Sequence, residues 1–323
     1  MNNHSISICL NTARTSPRLD WVLDSLTSQL EPADNFEIII VDFFAQPCDD
    51  WTLTDVWTRR AQIEIAIVRN KLEGKVKWVA PMPSVWQGPQ RLTKENWFAN
   101  SAARNTFLLY ATKKWILHLD DRCVLMPGFM DAVRANMNVP KVTFGKYEKR
   151  SGMKVENGII VEAGTVTGVD GRHEYVRKNR NNDSPTPCGS EWFFGCCGLV
   201  PLKLLLSVNG WDIALDSLGM EDVMLGSQLA NLPGVEFQYD HRMFMVEDRT
   251  PEACLPVMKR TDKGVSPNDR SHFYLEKLRG MNRASHPHNL VEMRKSVQSG
   301  QPCPFIRWPE SDSFDGMKTE DFI

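Results

Sequence analysis

The run Glu37-Ile38-Ile39-Ile40-Val41-Asp42 sets four aliphatic residues in succession with no polar residue among them. A half-exposed strand alternates apolar with polar, so an unbroken run reads as a strand covered on both faces. Such strands belong to parallel sheets with helices above and below. The flanking segments agree. Ile6 to Leu10 is another apolar run, closing in Asn11-Thr12, and Leu19, Val22, Leu23, Leu26 and Leu30 then recur at helical spacing. Ile63 to Val68 reads as a third strand, and Trp115 to Leu119 as a fourth that runs straight into Asp120-Asp121. Strands and helices in alternation predict an α/β fold with right-handed crossovers.

Further along, Val79 to Arg91 carries Pro81, Pro83, Gly88 and Pro89 and reads as a loop, followed by a helix over Glu95 to Thr112. A helix is expected over Phe129 to Met137, with strand-like segments at Lys141 to Phe144 and Ile159 to Val161. Arg172 to Pro187 has almost no apolar content and reads as a mobile or acceptor-facing loop. Beyond it come strands at Trp192 to Gly195 and Gly198 to Val200, helices at Leu202 to Ser207 and Asp222 to Ala230, and strands at Val235 to Tyr239 and Met243 to Val246. The proline-rich tail from about Arg249 has helical patterns near Phe273 to Leu278 and Leu290 to Val297.

Lys plus Arg number 38 against 40 Asp plus Glu, which removes the global field expected of a dedicated nucleic-acid or anionic-membrane binder. No stretch has the ~18 apolar residues of a membrane-spanning helix, and the N-terminus has no secretory pattern, so a cytoplasmic protein is expected. The eight cysteines form no C-x-x-C pair, which reads as buried thiols in a reducing compartment rather than a zinc site.

Ligands of open α/β sheets sit at the carboxyl ends of the strands. Three such ends here are polar: Asn11-Thr12-Ala13-Arg14, Asp42, and Asp120-Asp121-Arg122. A carboxylate pair directly after a buried strand is costly unless it meets a cation, a metal or hydroxyls, although an isolated Asp-Asp also serves as a turn or cap. A second constellation is Asn209-Gly210-Trp211-Asp212 followed by Gly219-Met220-Glu221-Asp222-Val223-Met224-Leu225-Gly226. Taken alone, its two acids would cap a helix and offset its dipole.

In order and spacing these pieces resemble the family 2 glycosyltransferases and their relatives of GT-A fold, over about Ser5 to Val246. Glu37 to Asp42 is similar to that family's nucleotide-binding strand. Asn100 to Asn105 with Trp115 to Pro127 resembles the helix and strand that deliver its D-x-D motif, and Asn209 to Gly226 resembles the segment bearing its catalytic acid.

The resemblance implies a GT-A, Rossmann-like, mostly parallel central sheet flanked by helices. Its domain would span residues 1–248, nucleotide-binding to about 127 and acceptor-binding and catalytic from 128 to 248, with a C-terminal extension over 249–323. It implies a hexosyltransferase-class enzyme, inverting, that moves a sugar from a nucleotide-diphosphate donor to a glycan or other hydroxyl acceptor. Asp222, with Glu221 beside it, would be the base. Thr12, Arg14, Asp42, Arg104, Asn105, Asp120, Asp121, Arg122, Trp192 and Gly195 would surround the donor.

Two departures matter. Phe43 follows Asp42 where a second acid is common, and Arg122 stands where D-x-D has its second Asp. A guanidinium does not ligate a metal, so either Asp121 takes over as ligand with Asp120 or Arg122 bridges the diphosphate itself. Mn²⁺ or Mg²⁺ is the expected cofactor, with His241 or Glu247 completing its site from the late strands. The rival readings are transfer to modified nucleic-acid bases, motivated by the basic run Arg172 to Arg180, and a non-catalytic sugar-nucleotide-binding protein. A nicotinamide dinucleotide enzyme is disfavoured because no G-x-G-x-x-G follows the first strand.

Overall fold

The computed structural model describes residues 4–14, 16–45, 53–82, 100–179, 184–213, 221–250 and 289–301. Its first half alternates β1 (Ser5–Thr12), α1 (Leu19–Thr27), β2 (Asn35–Asp42), α2 (Leu53–Arg69), β3 (Val76–Val79), α3 (Asn100–Tyr110) and β4 (Trp115–Asp120). The second half adds β5 (Cys123–Leu125), α4 (Phe129–Asn136), β6 (Val142–Ser151), β7 (Lys154–Glu156), β8 (Ile159–Glu162), β9 (Thr165–Val169) and α5 (Gly171–Asn179). It continues through β10 (Thr186–Pro187), β11 (Cys197–Pro201), α6 (Leu202–Ser207), α7 (Glu221–Ala230), β12 (Phe237–Asp248) and α8 (Leu290–Gln298).

The central sheet runs β10-β12-β6-β11-β4-β1-β2-β3, with β5 on β12 and β9 on β6. Its parallel half is β3-β2-β1-β4. Antiparallel β11 then separates β4 from the parallel pair β6 and β12.

Ile38, Ile39, Ile40 and Val41 are all fully buried, as a strand covered on both faces requires. Ile38 and Ile40 join the cluster with α1, α2 and α4, while Ile39 and Val41 join the one with α3, α7 and α8. Register fixes where the polar strand ends meet. Thr12 lies opposite Asp42 and Asn11 opposite Asp120, so three strand ends share one rim of the sheet.

Four segments differ from the sequence reading. Ile63 to Val68 is helical, inside α2: Ile63 and Ala66 are buried while Ile65 is 62% and Val68 57% exposed, a spacing of three rather than two. The third strand is instead Val76–Val79, whose Val76 pairs with Ile38. Arg172 to Pro187 is not a plain loop, because α5 begins there with Arg172 buried, and β10 follows. Trp192 ends a short 3₁₀ turn, Ser190–Trp192, instead of opening a strand. The two late strands are one, β12, whose register shifts between Asp240 and Phe244, at the polar residues that interrupt its apolar pattern.

In the tail, α8 packs on α3 and buries Leu290 and Met293 in the core, while the helix expected near Phe273 to Leu278 lies outside the described residues. Cys9, Cys123, Cys188, Cys196 and Cys197 are free thiols, and Cys48, Cys254 and Cys303 lie outside the described residues. Among the described residues no helix is long and apolar enough to cross a membrane.

The helical assignment of Ile63 to Val68 has a direct test. Ile63→Ala should destabilise the protein by about 2–5 kcal/mol in urea denaturation, and Ile65→Ala by less than about 0.5 kcal/mol. An alternating strand would make both substitutions costly.

Candidate active site

The rim formed by β1, β2 and β4 carries three carboxylates, Asp42, Asp120 and Asp121, and each is held differently. Asp42 accepts from the backbone N–H of Phe44 at 2.9 Å, from Trp78 Nε1 at 3.0 Å and from Arg59 Nη1 at 2.5 Å. Arg59 is buried, lies 4.7 Å from the Phe44 ring centre and donates from Nε to the Arg14 carbonyl at 2.8 Å. Arg59 and Trp78 are site residues that sequence reasoning missed. Asp121 accepts from Thr12 Oγ1 at 2.6 Å and from Arg14 Nε at 3.0 Å, which joins the ends of β1 and β4.

Asp120 is different. Burial first, then the neighbouring charges of Glu247 and Asp121, push its carboxyl up to about 8. Glu247 is 2% exposed and is also raised, chiefly by burial. One of its oxygens pairs with Arg249 at 2.9 Å, and the other is buried with no hydrogen-bond partner. Among the described residues no group of three His, Cys, Asp or Glu side chains is gathered closely enough to hold a metal. The orphaned Glu247 oxygen beside an electrostatically disfavoured Asp120 nevertheless fits a hard divalent cation held by two carboxylates and a ligand's phosphates. Asp121, expected as a ligand, has both oxygens engaged by Thr12 and Arg14 instead.

The second constellation forms where α3 meets the start of α7. Asp222 accepts from Arg104 Nη1 and, at 3.1 Å, from Trp211 Nε1. Glu221 accepts from Asn100 Nδ2 at 2.6 Å, and Asn100 in turn accepts from Asn11 at 2.9 Å. A continuous polar chain therefore links β1 to both acids. Burial pushes the Asp222 carboxyl up to about 6, Arg104 opposing the rise and Glu221 adding to it. Asp222 keeps 15% of its side chain exposed and Glu221 12%, so both open onto the cleft.

Gly195 closes the other side. Its carbonyl accepts from Arg104 Nη2 at 3.1 Å, and a Cβ there would stand 2.0 Å from Arg104 Nη2 and 2.2 Å from Asp222 Oδ2. Only a residue without a side chain admits this approach.

Four expected site residues go elsewhere. Asn105 is fully buried and clamps the Trp211 backbone, accepting from its N–H at 2.8 Å and donating to its carbonyl at 2.7 Å. It positions the site rather than lining it. Arg122 is 1% exposed and paired with Asp248, another residue missed in the sequence, so no surface of it is left to bridge a diphosphate. His241 packs against His173, ring centres 5.4 Å apart, six residues before Glu247 on the same strand. That separation, about 20 Å of extended chain, removes it from the Asp120 site. Trp192 is half-buried and sits apart from the strand-end rim, against Tyr175 and Tyr239.

No family model matches this sequence, and no curated protein does. Solved structures do match its fold. GalNAc-T7, solved with UDP, GalNAc and Mn²⁺, superposes with a TM-score of 0.55 at 12% identity, covering 93% of this chain and 59% of its own. S. aureus TarS 1-349 in complex with UDP-GlcNAc superposes with a TM-score of 0.52 at 14% identity, covering 91% of this chain and 73% of its own. The chain thus spans less than two thirds of the GalNAc-T7 structure. At these identities the likeness establishes the fold, the GT-A arrangement implied by the sequence resemblance.

Gly195→Ala should lower any activity of this site by about 10²-fold or more, because the methyl displaces Arg104 from Asp222. The thermal midpoint should fall as well, because Asp222 loses its buried cation, so activity is compared well below the variant's own midpoint. A variant as active as the parent would mean that the Arg104–Asp222 contact is not needed.

Proposed function

We propose that the chain is an inverting glycosyltransferase of the hexosyltransferase class. The observation that carries this reading is Asp222, a cleft-facing carboxylate raised to about 6 and aimed by Arg104 and Trp211. A base poised near neutral pH matches the removal of a hydroxyl proton during attack. The nucleotide-diphosphate sugar lies along the rim of β1, β2 and β4, among Thr12, Arg14, Asp42 and Asp120, a placement supported by the fold rule for open sheets.

The acceptor oxygen attacks the anomeric carbon as its proton passes to Asp222. The bond from that carbon to the diphosphate oxygen breaks, and its electron pair leaves with the nucleoside diphosphate. Attack opposite the leaving group inverts the anomeric centre. Arg104 holds Asp222 in line, and Asn100 fixes Glu221 beside it. Asp120 and Glu247 would hold Mn²⁺ or Mg²⁺, whose charge offsets that of the departing diphosphate. Solved structures of the same fold are described with UDP and Mn²⁺ or with UDP-GlcNAc, which supports a donor of this class.

The described part of the basic run gives the nucleic-acid reading little support. Arg172 is buried on Asp170, and Arg177 and Lys178 both pair with Glu174, so the described part of the basic run does not offer a row of unpaired cations.

Asp222→Asn should abolish transfer while leaving donor binding within about twofold, measured by calorimetry with UDP-sugars and by release of nucleoside diphosphate. The ionised form is the active one, so the wild-type rate should rise as pH increases through about 6 and level off above it. Equal loss of binding and turnover in Asp222→Asn would make the residue structural.

Mn²⁺ with UDP should raise the thermal midpoint of the wild type, since a ligand of the native state stabilises it by mass action. Asp120→Asn should lose most of that increment. An undiminished increment would place the metal elsewhere.

A further inference from the structure

A cavity of about 680 Å³ is walled by α5, the segment after β10 and the 3₁₀ turn Ser190–Trp192, a turn that packs on α7, the helix bearing Asp222. Its size falls within the roughly 300–1,000 Å³ of small-ligand sites. Three aromatic side chains line it: Trp192, Tyr175 and Phe194, with Tyr175 53% and Phe194 38% exposed. Large aromatic faces left open to solvent inside a concavity lack the burial that would stabilise them, and a ligand with apolar faces supplies it.

The wall is rigid for a stated reason. Arg172 donates to Asp170, to the Gly145 carbonyl at 2.9 Å and to the Trp192 carbonyl at 2.6 Å, and its guanidinium lies 4.6 Å from the Phe194 ring centre. One lining residue leads toward Asp222. Phe194 is followed by Gly195, whose Cα lies directly against the Asp222 carboxylate.

We propose that this cavity is the acceptor subsite, and that it takes a neutral carbohydrate whose C–H faces stack on Trp192 and Tyr175 while a hydroxyl reaches Asp222. The inference rests on the glycosyltransferase reading above and adds the class of acceptor to it. Charge excludes an anionic polymer: the lining's cation, Arg172, is already engaged, and Glu191 adds a carboxylate to the same wall. Trp192, expected from sequence around the donor, thereby belongs to the acceptor side.

The test compares wild type, Tyr175→Ala and Trp192→Ala, each with UDP and Mn²⁺ present, on an array of neutral oligosaccharides, acidic oligosaccharides and single-stranded oligonucleotides. The expected result is capture of neutral oligosaccharides by the wild type, weakened about tenfold or more in both variants. The thermal shift with UDP and Mn²⁺ should be the same in all three proteins. Tyr175 is exposed enough that its truncation leaves folding intact, which covers a folding defect in Trp192→Ala. No capture of neutral oligosaccharides, equal capture by Tyr175→Ala, or capture of oligonucleotides or only acidic glycans would overturn the proposal. Failure of the underlying reading shows separately, as the absence of any UDP-dependent thermal shift in the wild type.

Discussion

Two adjacent acids, Glu221 and Asp222, lie largely out of solvent at the start of a helix, and Arg104 makes that arrangement tolerable. A buried carboxylate without a partner is destabilising by several kcal/mol, and a second one beside it compounds the cost. Arg104 pairs with both and with the Gly195 carbonyl, so one guanidinium ties α3, α7 and the segment before β11 together. The rest of this face follows from the need to hold α3 in place. Asn105, one residue on, clamps Trp211, and Asn100, one turn earlier, reaches from Asn11 to Glu221. Behind the helix, α8 buries Leu290, donates from the Leu290 N–H to Asn209 Oδ1 and sends Arg294 to the Leu108 carbonyl. A helix from the far end of the sequence thus braces the helix that carries Arg104.

The carboxylates of the cleft divide by whether the protein itself neutralises them. Asp42 has Arg59, Asp121 has Arg14, and Asp170 has Arg172, so these acids set geometry. Asp120 and Glu247 are raised chiefly by burial, the charge of Glu247 adding to the rise at Asp120, and one Glu247 oxygen has no hydrogen-bond partner although the other pairs with Arg249. On the proposed reading, Asp120 and the unpartnered Glu247 oxygen are where a cation arriving from outside would bind. Asp222 falls between the two groups: Arg104 pairs with it, yet burial raises it and part of it stays exposed.

Features set by local pattern were legible in the sequence; features set by distant partners were not. The uninterrupted Ile38 to Val41 run announced a doubly covered strand, and the acids at the ends of β4 and the start of α7 stood out by position. Ile63 to Val68 misled because β-branched residues fill a helix whose buried face is spaced by three and four. That face held a usable signal. Arg59, Ile63 and Ala66 lie on one stripe and are all buried, and a cation on the apolar stripe of a helix calls for an acid facing it, here Asp42. Arg172 and Arg122 were opaque for a different reason. Arg172 sits in a segment of exposed-looking composition, and the partner of Arg122 is 126 residues away.

Arg122 also shows how a departure from a familiar motif can be absorbed. It stands where a second acid is expected after β4, yet the structure buries it against Asp248. Successive residues of a strand face opposite ways, so Glu247, next to Asp248 at the end of β12, faces away from that pair. Asp120 is raised first by burial and then by the charge of Glu247. The antiparallel pairing of β5 with β12, with Cys123 opposite Glu247, brings this about by placing the end of β12 beside the turn that follows β4. On the proposed reading, β12 therefore supplies the carboxylate that position 122 lacks, and the arginine locks in place the strand that delivers it. An acid at position 122 would leave Asp248 without its cation in a buried setting, so reverting one residue toward the motif would disturb the strand carrying Glu247 before it could contribute a ligand. The motif and its replacement are alternatives that exclude each other, because each requires a different partner at the end of β12.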